Sequence, residues 1–208
     1  MKKGKWLLCI SIFVLIAFVL WQFVFTKVDN NKSEISASSV EGKQNSALDQ
    51  SISTILVSYF QMSEAFVNWD SELINQKADS LKILVDSLNL QVANLDSTNS
   101  VVFKNYQNLL RTEISGLSLE TDIYEKRLAL NSLSHQLFEF LKALNYSGYQ
   151  VYFQECPMAL NNYEKSAFWL STDASFENRR NPYLGLSDPK YGKGMLHCGQ
   201  TKDSVISN

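Results

Sequence analysis

The sequence predicts a mainly α-helical protein in which an antiparallel four-helix bundle lies between one N-terminal transmembrane helix and a loop-rich, aromatic C-terminal segment. Three observations predict this class. An uncharged apolar run of twenty residues begins at Trp6, apolar residues recur every three or four positions in the middle of the chain, and all three prolines follow residue 156. Such spacing indicates amphipathic helices, and a long stretch without proline suits uninterrupted ones.

The first predicted element is a signal-anchor transmembrane helix within residues 1–26. Lys2, Lys3 and Lys5 precede the run WLLCISIFVLIAFVLWQFVF, residues 6–25. At a rise of about 1.5 Å per residue this run spans the hydrocarbon core of a bilayer. A cleaved signal peptide is the alternative, but its apolar core is shorter and is followed by small residues, whereas this run ends in bulky aromatic ones. The lysines favour a cytoplasmic N-terminus, so we expect the remainder of the chain outside the cytoplasm.

The composition of residues 27–47 predicts a flexible tether, because this stretch contains too few large apolar residues to pack against a core.

Lys and Arg together number 19 against 21 Asp and Glu, and three of the lysines precede the apolar run. The exported part is therefore mildly acidic. An acidic chain without a basic stripe argues against nucleic acid as a partner.

Residues 48–147 predict the four-helix bundle, since four amphipathic helices with short connections bury their apolar faces together. Asp70 or Ser71 suits the start of the second helix, residues 95–100 read as a turn, and Gly116 and Gly148 are expected near the ends of the last two helices. The apolar stripes are Leu48, Ile52, Ile55, Tyr59, Met62 and Phe66; Ile74, Ala78, Leu81, Val85, Leu88 and Val92; Phe103, Tyr106, Leu110, Ile114 and Leu117; and Ile123, Leu130, Leu133, Leu137, Leu141 and Leu144.

Residues 148–208 predict a different kind of structure. The stretch YQVYFQ, Tyr149–Gln154, alternates in polarity and indicates a short strand. All three prolines and five of the eight glycines lie from Gly148 onward, which indicates many turns. Because the segment is also rich in aromatic residues, we expect it to fold back and pack on the bundle.

Four sulfur-containing residues in this segment form the candidate metal site. In ECPMAL, Cys156 and Met158 are two positions apart, so an extended chain would point both side chains to one side. In GMLHCG, Met195 and Cys198 are three apart and share a face if the segment makes one helical turn. Two thiols and two thioethers that converge would select a soft ion such as Cu(I) or Ag(I), and His197 is a further possible ligand.

A disulfide between Cys156 and Cys198 is the competing interpretation. They are the only cysteines outside the predicted anchor, and an extracytoplasmic compartment allows disulfides to persist. The closed loop of about 42 residues would stabilise the fold by about 4 kcal/mol in the chain-entropy model. The two methionines would then fill gaps in the core. The residues alone leave the metal site, the disulfide and a pair of unbonded thiols open.

We expect no enzymatic activity from this chain. The stretch GKGMLHCG has glycines but lacks the spacing of a phosphate-binding loop. The chain has only two histidines, His135 and His197, and no pair of carboxylates stands out for acid–base chemistry. A nucleophile formed by Cys198 with either histidine lacks identifiable oxyanion donors.

The stretches VYFQECPMAL, AFWLS, NPYLG and GMLHCG together resemble a bacterial domain-of-unknown-function family. Its pattern is a helical region followed by C-P-M, W-L-S, N-P-Y-x-G and M-x-x-C-G, and the resemblance covers roughly residues 48–205. The positions that match this pattern are Cys156, Pro157, Met158, Trp169, Leu170, Ser171, Asn181, Pro182, Tyr183, Gly185, Met195, Cys198 and Gly199.

The family consists of envelope proteins, and the same domain is found fused to periplasmic adaptors of copper and silver efflux systems. The resemblance therefore implies a membrane-anchored accessory domain on the periplasmic side of a bacterial inner membrane. It implies binding of Cu(I) or Ag(I) in metal efflux or homeostasis, with an efflux adaptor or another envelope protein as partner. The resemblance identifies no ligand set, so Cys156, Met158, Met195 and Cys198 remain the candidates that the residues themselves indicate. The alternative is a disulfide-stapled helical interaction domain of an envelope complex without a metal.

Overall fold

The computed structural model describes residues 46–89 and 95–205. The predicted transmembrane helix, all but the last two residues of the predicted tether, and Val92 lie outside the described residues. Within residues 46–89 and 95–205, no helix combines the length and the apolar character that crossing a bilayer requires.

Four helices form the first part of the fold: α1 is Ser46–Val67, α2 is Ser71–Ser87, α3 is Ser97–Leu119 and α4 is Ile123–Ala143. Consecutive helices pack against each other. The apolar stripes predict which side chains are buried, with Tyr106 and Ile123 only half-buried. Helix α1 begins two residues before the predicted bundle, because Ser46 and Ala47 continue the same helix.

Aspartate side chains cap the N-termini of three of the helices. Asp70 accepts a hydrogen bond from the backbone N–H of Leu73, as predicted for the start of α2. Asp96 accepts one from the N–H of Asn99, so α3 begins inside the stretch that the sequence predicts as a turn. Asp122 accepts from two backbone N–H groups at the start of α4. Such caps satisfy amide donors that have no partner within the helix.

Helix ends are set by Trp69 and Asn145 rather than by glycine. Asn145 has a φ of 50°, its N–H donates to the carbonyl of Lys142, and the following N–H, of Tyr146, donates to that of Leu141. These two bonds close α4 at Ala143, so the expected stop at Gly148 is wrong. Trp69, with a φ of 57°, closes α1 in the same way. Helix α3 continues past Gly116 to Leu119.

The C-terminal part contains a three-stranded antiparallel sheet with the order β2-β1-β3, in which β1 is Val151–Leu160, β2 is Lys165–Ser171 and β3 is Gln200–Val205. The segment therefore has more regular structure than the short strand predicted at Tyr149–Gln154. Pro157 lies inside the central strand, where it cannot donate to a ladder. It is tolerated because the β2 register shifts between Cys156 and Leu160 and β3 pairs only with residues 151–155.

The sheet packs mainly on α4. The ring of Phe153 in β1 stacks on Phe138 of α4, with centroids 4.4 Å apart, and on Phe168 of β2. The buried hydroxyl of Tyr59 in α1 is 2.6 Å from that of Ser134 in α4 and accepts the N–H of Leu170 in β2. One phenol thus joins two helices to the sheet.

Candidate functional site at the Cys156–Cys198 pair

Strand β1 and a short turn bring the two cysteines together. Cys156 lies in β1 and is fully buried, whereas Cys198 is half-buried. A 3-10 helix, Lys193–Met195, precedes Cys198, and the N–H of Cys198 donates to the carbonyl of Met195 at 3.0 Å. The segment therefore makes the single helical turn that the spacing of Met195 and Cys198 requires.

The sulfur atoms of Cys156 and Cys198 are 2.8 Å apart, although the residues are 42 positions apart in the chain. Both are free thiols. A disulfide bond is about 2.05 Å long. The two sulfurs would therefore have to move closer together, and the two thiols would have to be oxidised, to form one. A tetrahedral ion with metal–sulfur bonds of about 2.3 Å would instead hold them about 3.8 Å apart.

The two thiols differ in acidity because of their hydrogen bonds. The thiol of Cys198 donates toward Cys156 and lowers the pKa of Cys156, and the backbone N–H of Met158 and the side chain of Asn181 lower it further against the effect of burial. The same interaction, together with burial, raises the pKa of Cys198. These hydrogen bonds favour the thiolate form at Cys156 over that at Cys198.

Gly199 allows the chain to pass close to β1. Its φ is +136°, and a Cβ atom there would lie 2.7 Å from the carbonyl oxygen of Glu155 and 2.8 Å from the ring of Trp169. Trp169 is buried and forms one wall of the site. Any larger residue after Cys198 would push the turn away from Cys156.

The stretch Asn181-Pro182-Tyr183 forms a turn that the side chain of Asn181 holds together. The side-chain oxygen of Asn181 accepts the N–H groups of Tyr183 and Leu184, and its amide donates to the carbonyl of Cys198 at 3.3 Å. Tyr183 is fully buried and donates its hydroxyl hydrogen to the carbonyl of Phe168. Asn181 thereby ties this turn to the cysteine pair.

Arg179 is a site residue that sequence analysis missed. It is buried, and its guanidinium donates to the carbonyls of Gly199 and Ala174 and to the side chain of Gln154. It therefore ties the turn after Cys198 to β1. The only sequence signal was a pair of arginines before Asn181, which reads as surface charge.

The methionines and His197 lie close to the cysteine pair and contact the core or neighbouring turns. Met158 and Met195 are half-buried and pack against the core, and their backbone groups contact the cysteines. The Nδ1 atom of His197 is 2.8 Å from the carbonyl oxygen of Arg179, and its ring packs on Phe176. Within residues 46–89 and 95–205, no three His, Cys, Asp or Glu side chains group as metal ligands.

The helical part of the chain matches one family model. Residues 55–148 match the model of a family described as protein of unknown function (DUF3347). The match runs from α1 to the residues that follow α4, and it ends before Cys156. No curated protein and no solved structure matches the chain.

Proposed function

We propose that this chain is a membrane-anchored, extracytoplasmic interaction domain of an envelope complex, in which Cys156 and Cys198 form a disulfide that fastens the C-terminal segment. The observation that supports it best is the 2.8 Å separation of the two sulfurs. That separation exceeds the length of a disulfide bond by about 0.8 Å, and it is about 1 Å shorter than the spacing of two sulfur ligands on one tetrahedral ion. The apolar run at residues 6–25 supports the anchor.

A disulfide at this position would link β1 to the turn before β3. Oxidation of the two thiols passes two electrons and two protons to a disulfide-containing oxidant of the envelope, whose disulfide is reduced to a dithiol. The bond would close a loop that contains β2 and the Asn181 turn, which stabilises the fold by restricting the unfolded chain. The aromatic C-terminal segment would then present a fixed surface to its partner.

A soft-metal accessory domain is the second candidate, favoured by the lowered pKa of Cys156. Hydrogen bonds from Met158 and Asn181 lower the pKa of Cys156, and the thiolate is the form of cysteine that binds a metal. The donor chemistry of Cys156, Cys198, Met158 and Met195 suits Cu(I) or Ag(I). The spacing does not suit such an ion as it stands, because the sulfurs must separate by about 1 Å.

Thiol counting in the full-length chain tests the proposal. A Cys9→Ser background leaves Cys156 and Cys198 as the only cysteines. We expect protein isolated from the cell envelope without reductant, then unfolded with an alkylating reagent, to gain no adduct by mass spectrometry. After reduction it should gain two adducts, and its free energy of unfolding should fall by about 4 kcal/mol.

A matched variant with both Cys156→Ser and Cys198→Ser should show no response to reductant. Two reactive thiols in the protein isolated without reductant would contradict the disulfide. If the reduced protein then captured Cu(I) from a competing chelator, and Met195→Leu weakened that capture, the soft-metal function would replace the proposal.

A further inference from the structure

A cleft of about 470 Å³ lies on a different part of the fold from the cysteine pair. Its walls come from the first turns of α4, the β1–β2 turn and residues 184–189. The side chains that the following argument uses are Tyr124, Arg127, Leu160, Tyr163, Lys165 and Asp188.

Arg127 is a buried cation in the wall of this cleft. It is 2% exposed, and its guanidinium carbon lies 3.7 Å from the ring centroid of Trp69 and 5.4 Å from that of Tyr124. The aromatic rings fix the plane of the guanidinium. Its Nε and Nη2 atoms have no hydrogen-bond partner within the described part of the chain. These two nitrogens share one edge of the guanidinium, the fork that pairs with two oxygens of a carboxylate or phosphate.

Two of the neighbouring charged side chains, Asp188 and Lys126, already have hydrogen-bond partners. Asp188 is 5% exposed, and its carboxylate accepts hydrogen bonds from the hydroxyl of Tyr163 and from the N–H groups of Lys190 and Tyr191. Lys126, the cation next to Arg127 in α4, donates to Asn75 and to the carbonyl of Leu117. The ammonium group of Lys126 therefore has two acceptors, whereas Nε and Nη2 of Arg127 have none within the residues that the structure describes.

Leaving a buried guanidinium without acceptors is unfavourable. Burial also lowers the pKa of Arg127 to about 10, because a charged guanidinium is less favourable away from water. A bound anion would supply both missing acceptors. Tyr124, which is 52% exposed, is the most exposed aromatic side chain in the wall. Rotation of its ring would open the route to the two nitrogens.

We infer that the cleft binds a small organic oxyanion, a carboxylate or a phosphate ester, whose oxygens pair with Nε and Nη2 of Arg127. The apolar part of the ligand packs along Leu160, and the exposed Lys165 adds positive charge at the rim. This binding site is independent of the cysteine pair and does not rest on the proposed function.

Calorimetric titration of the purified full-length chain with benzoate, phenyl phosphate and benzamide tests the site. Benzamide has the shape of benzoate without its charge. We expect at least one of the two anions to bind and benzamide to bind at least about tenfold more weakly. The tighter of the two anions identifies the head group as carboxylate or phosphate.

Arg127→Lys keeps the positive charge and removes the fork, so it should weaken the binding of the anion by about tenfold or more. Arg111→Lys, the same change on an exposed arginine of α3 outside the cleft, should leave binding unchanged. If circular dichroism shows that Arg127→Lys does not fold, the Nε–H signal of Arg127 in the NMR spectrum of the unmodified chain tests the contact with the anion instead. It should shift with the anion and remain in place with benzamide. Equal affinity for benzamide, unchanged affinity in a folded Arg127→Lys, or binding of neither anion would overturn the inference.

Discussion

Gly199 shows how one residue can determine the distance between two sulfurs far apart in the chain. Its left-handed backbone and missing side chain let the turn after Cys198 lie against the Glu155 carbonyl and the Trp169 ring. Arg179 then holds the turn through the carbonyl of Gly199, at 2.7 Å. The position of Cys198 beside Cys156 therefore depends on a contact that only glycine allows.

We predict that Gly199→Ala lowers the free energy of unfolding by about 2 kcal/mol or more, because a methyl group meets backbone at a positive φ. It should also slow formation of the Cys156–Cys198 disulfide. Gly194 is a matched control, since a Cβ atom there meets nothing within 4 Å. Gly194→Ala should change stability by less than about 0.5 kcal/mol in urea unfolding. Equal effects of the two substitutions would contradict the role given to Gly199.

Arg127 shows where residue-level prediction from sequence ends. Two positively charged neighbours in the stretch EKRLAL read as the solvent face of a helix, yet Lys126 and Arg127 are 1% and 2% exposed. Their burial depends on Asn75 of α2 and on Trp69, which lies at the end of α1. These partners are more than fifty positions away, and no local pattern points to them.

At the scale of the element, aspartate caps determine the residue at which α2, α3 and α4 begin. Asp122 precedes α4, which carries both Arg127 and the contacts to the sheet. Its carboxylate oxygen accepts the N–H of Tyr124 at 2.7 Å and that of Glu125 at 3.3 Å. A negative group there also interacts favourably with the helix dipole.

We predict that Asp122→Ala lowers the free energy of unfolding by about 1 kcal/mol, the usual effect of removing such a cap. Asp79→Ala, at an exposed position inside α2, removes the same charge without removing a cap. That variant should stay within about 0.5 kcal/mol of the unmodified chain. Urea unfolding followed by circular dichroism measures both. An Asp122 variant as stable as the Asp79 variant would show that the cap contributes nothing.

The helices were predictable and the sheet was not, for a physical reason that single residues illustrate. Stripes such as Leu48 to Phe66 keep a constant helical period, so periodicity alone identifies the buried face. In β1 the period of two is broken, because the register shifts between Phe153 and Gln154 and both side chains are buried. Gln154 is polar and 0% exposed, paired with Ser171, Arg179 and Thr201. Only tertiary contacts reveal such a residue as part of the core.

The candidate site was predictable only in part. The scarcity of cysteine and the two motifs indicate Cys156 and Cys198, and the structure brings their sulfurs together. The roles of Met158 and Met195 stay predictions, since their observed contacts with the pair are through backbone groups. The role of Arg179 could not be predicted from the sequence. Two of its partners are backbone carbonyl groups, which every residue has, and the third is the distant side chain of Gln154.

At the scale of the whole molecule, β1 links the two candidate sites to the helices. It carries Cys156 at one site, Leu160 at the cleft and Phe153 in the aromatic cluster on α4. His135 of α4 lies in that cluster, with its ring 5.0 Å from Phe153 and 4.7 Å from Phe168. The junction between α4 and the sheet thus contains a histidine ring.

Burial against these rings lowers the pKa of His135, while the charge of Glu139 acts weakly in the opposite direction. The unfolded chain takes up the proton near pH 6.5, whereas the folded chain takes it up only at lower pH. Between these values the unfolded state binds more protons, so the free energy of unfolding falls as the pH is lowered from about 7 to 5.

We predict that His135→Phe, which keeps a ring in the cluster, makes this fall smaller. Urea unfolding of both proteins at a series of pH values measures it. The other histidine, His197, and all carboxylates are present in both proteins, so the difference isolates His135. An identical pH dependence in the two proteins would show that protonation of His135 does not weaken the junction between α4 and the sheet.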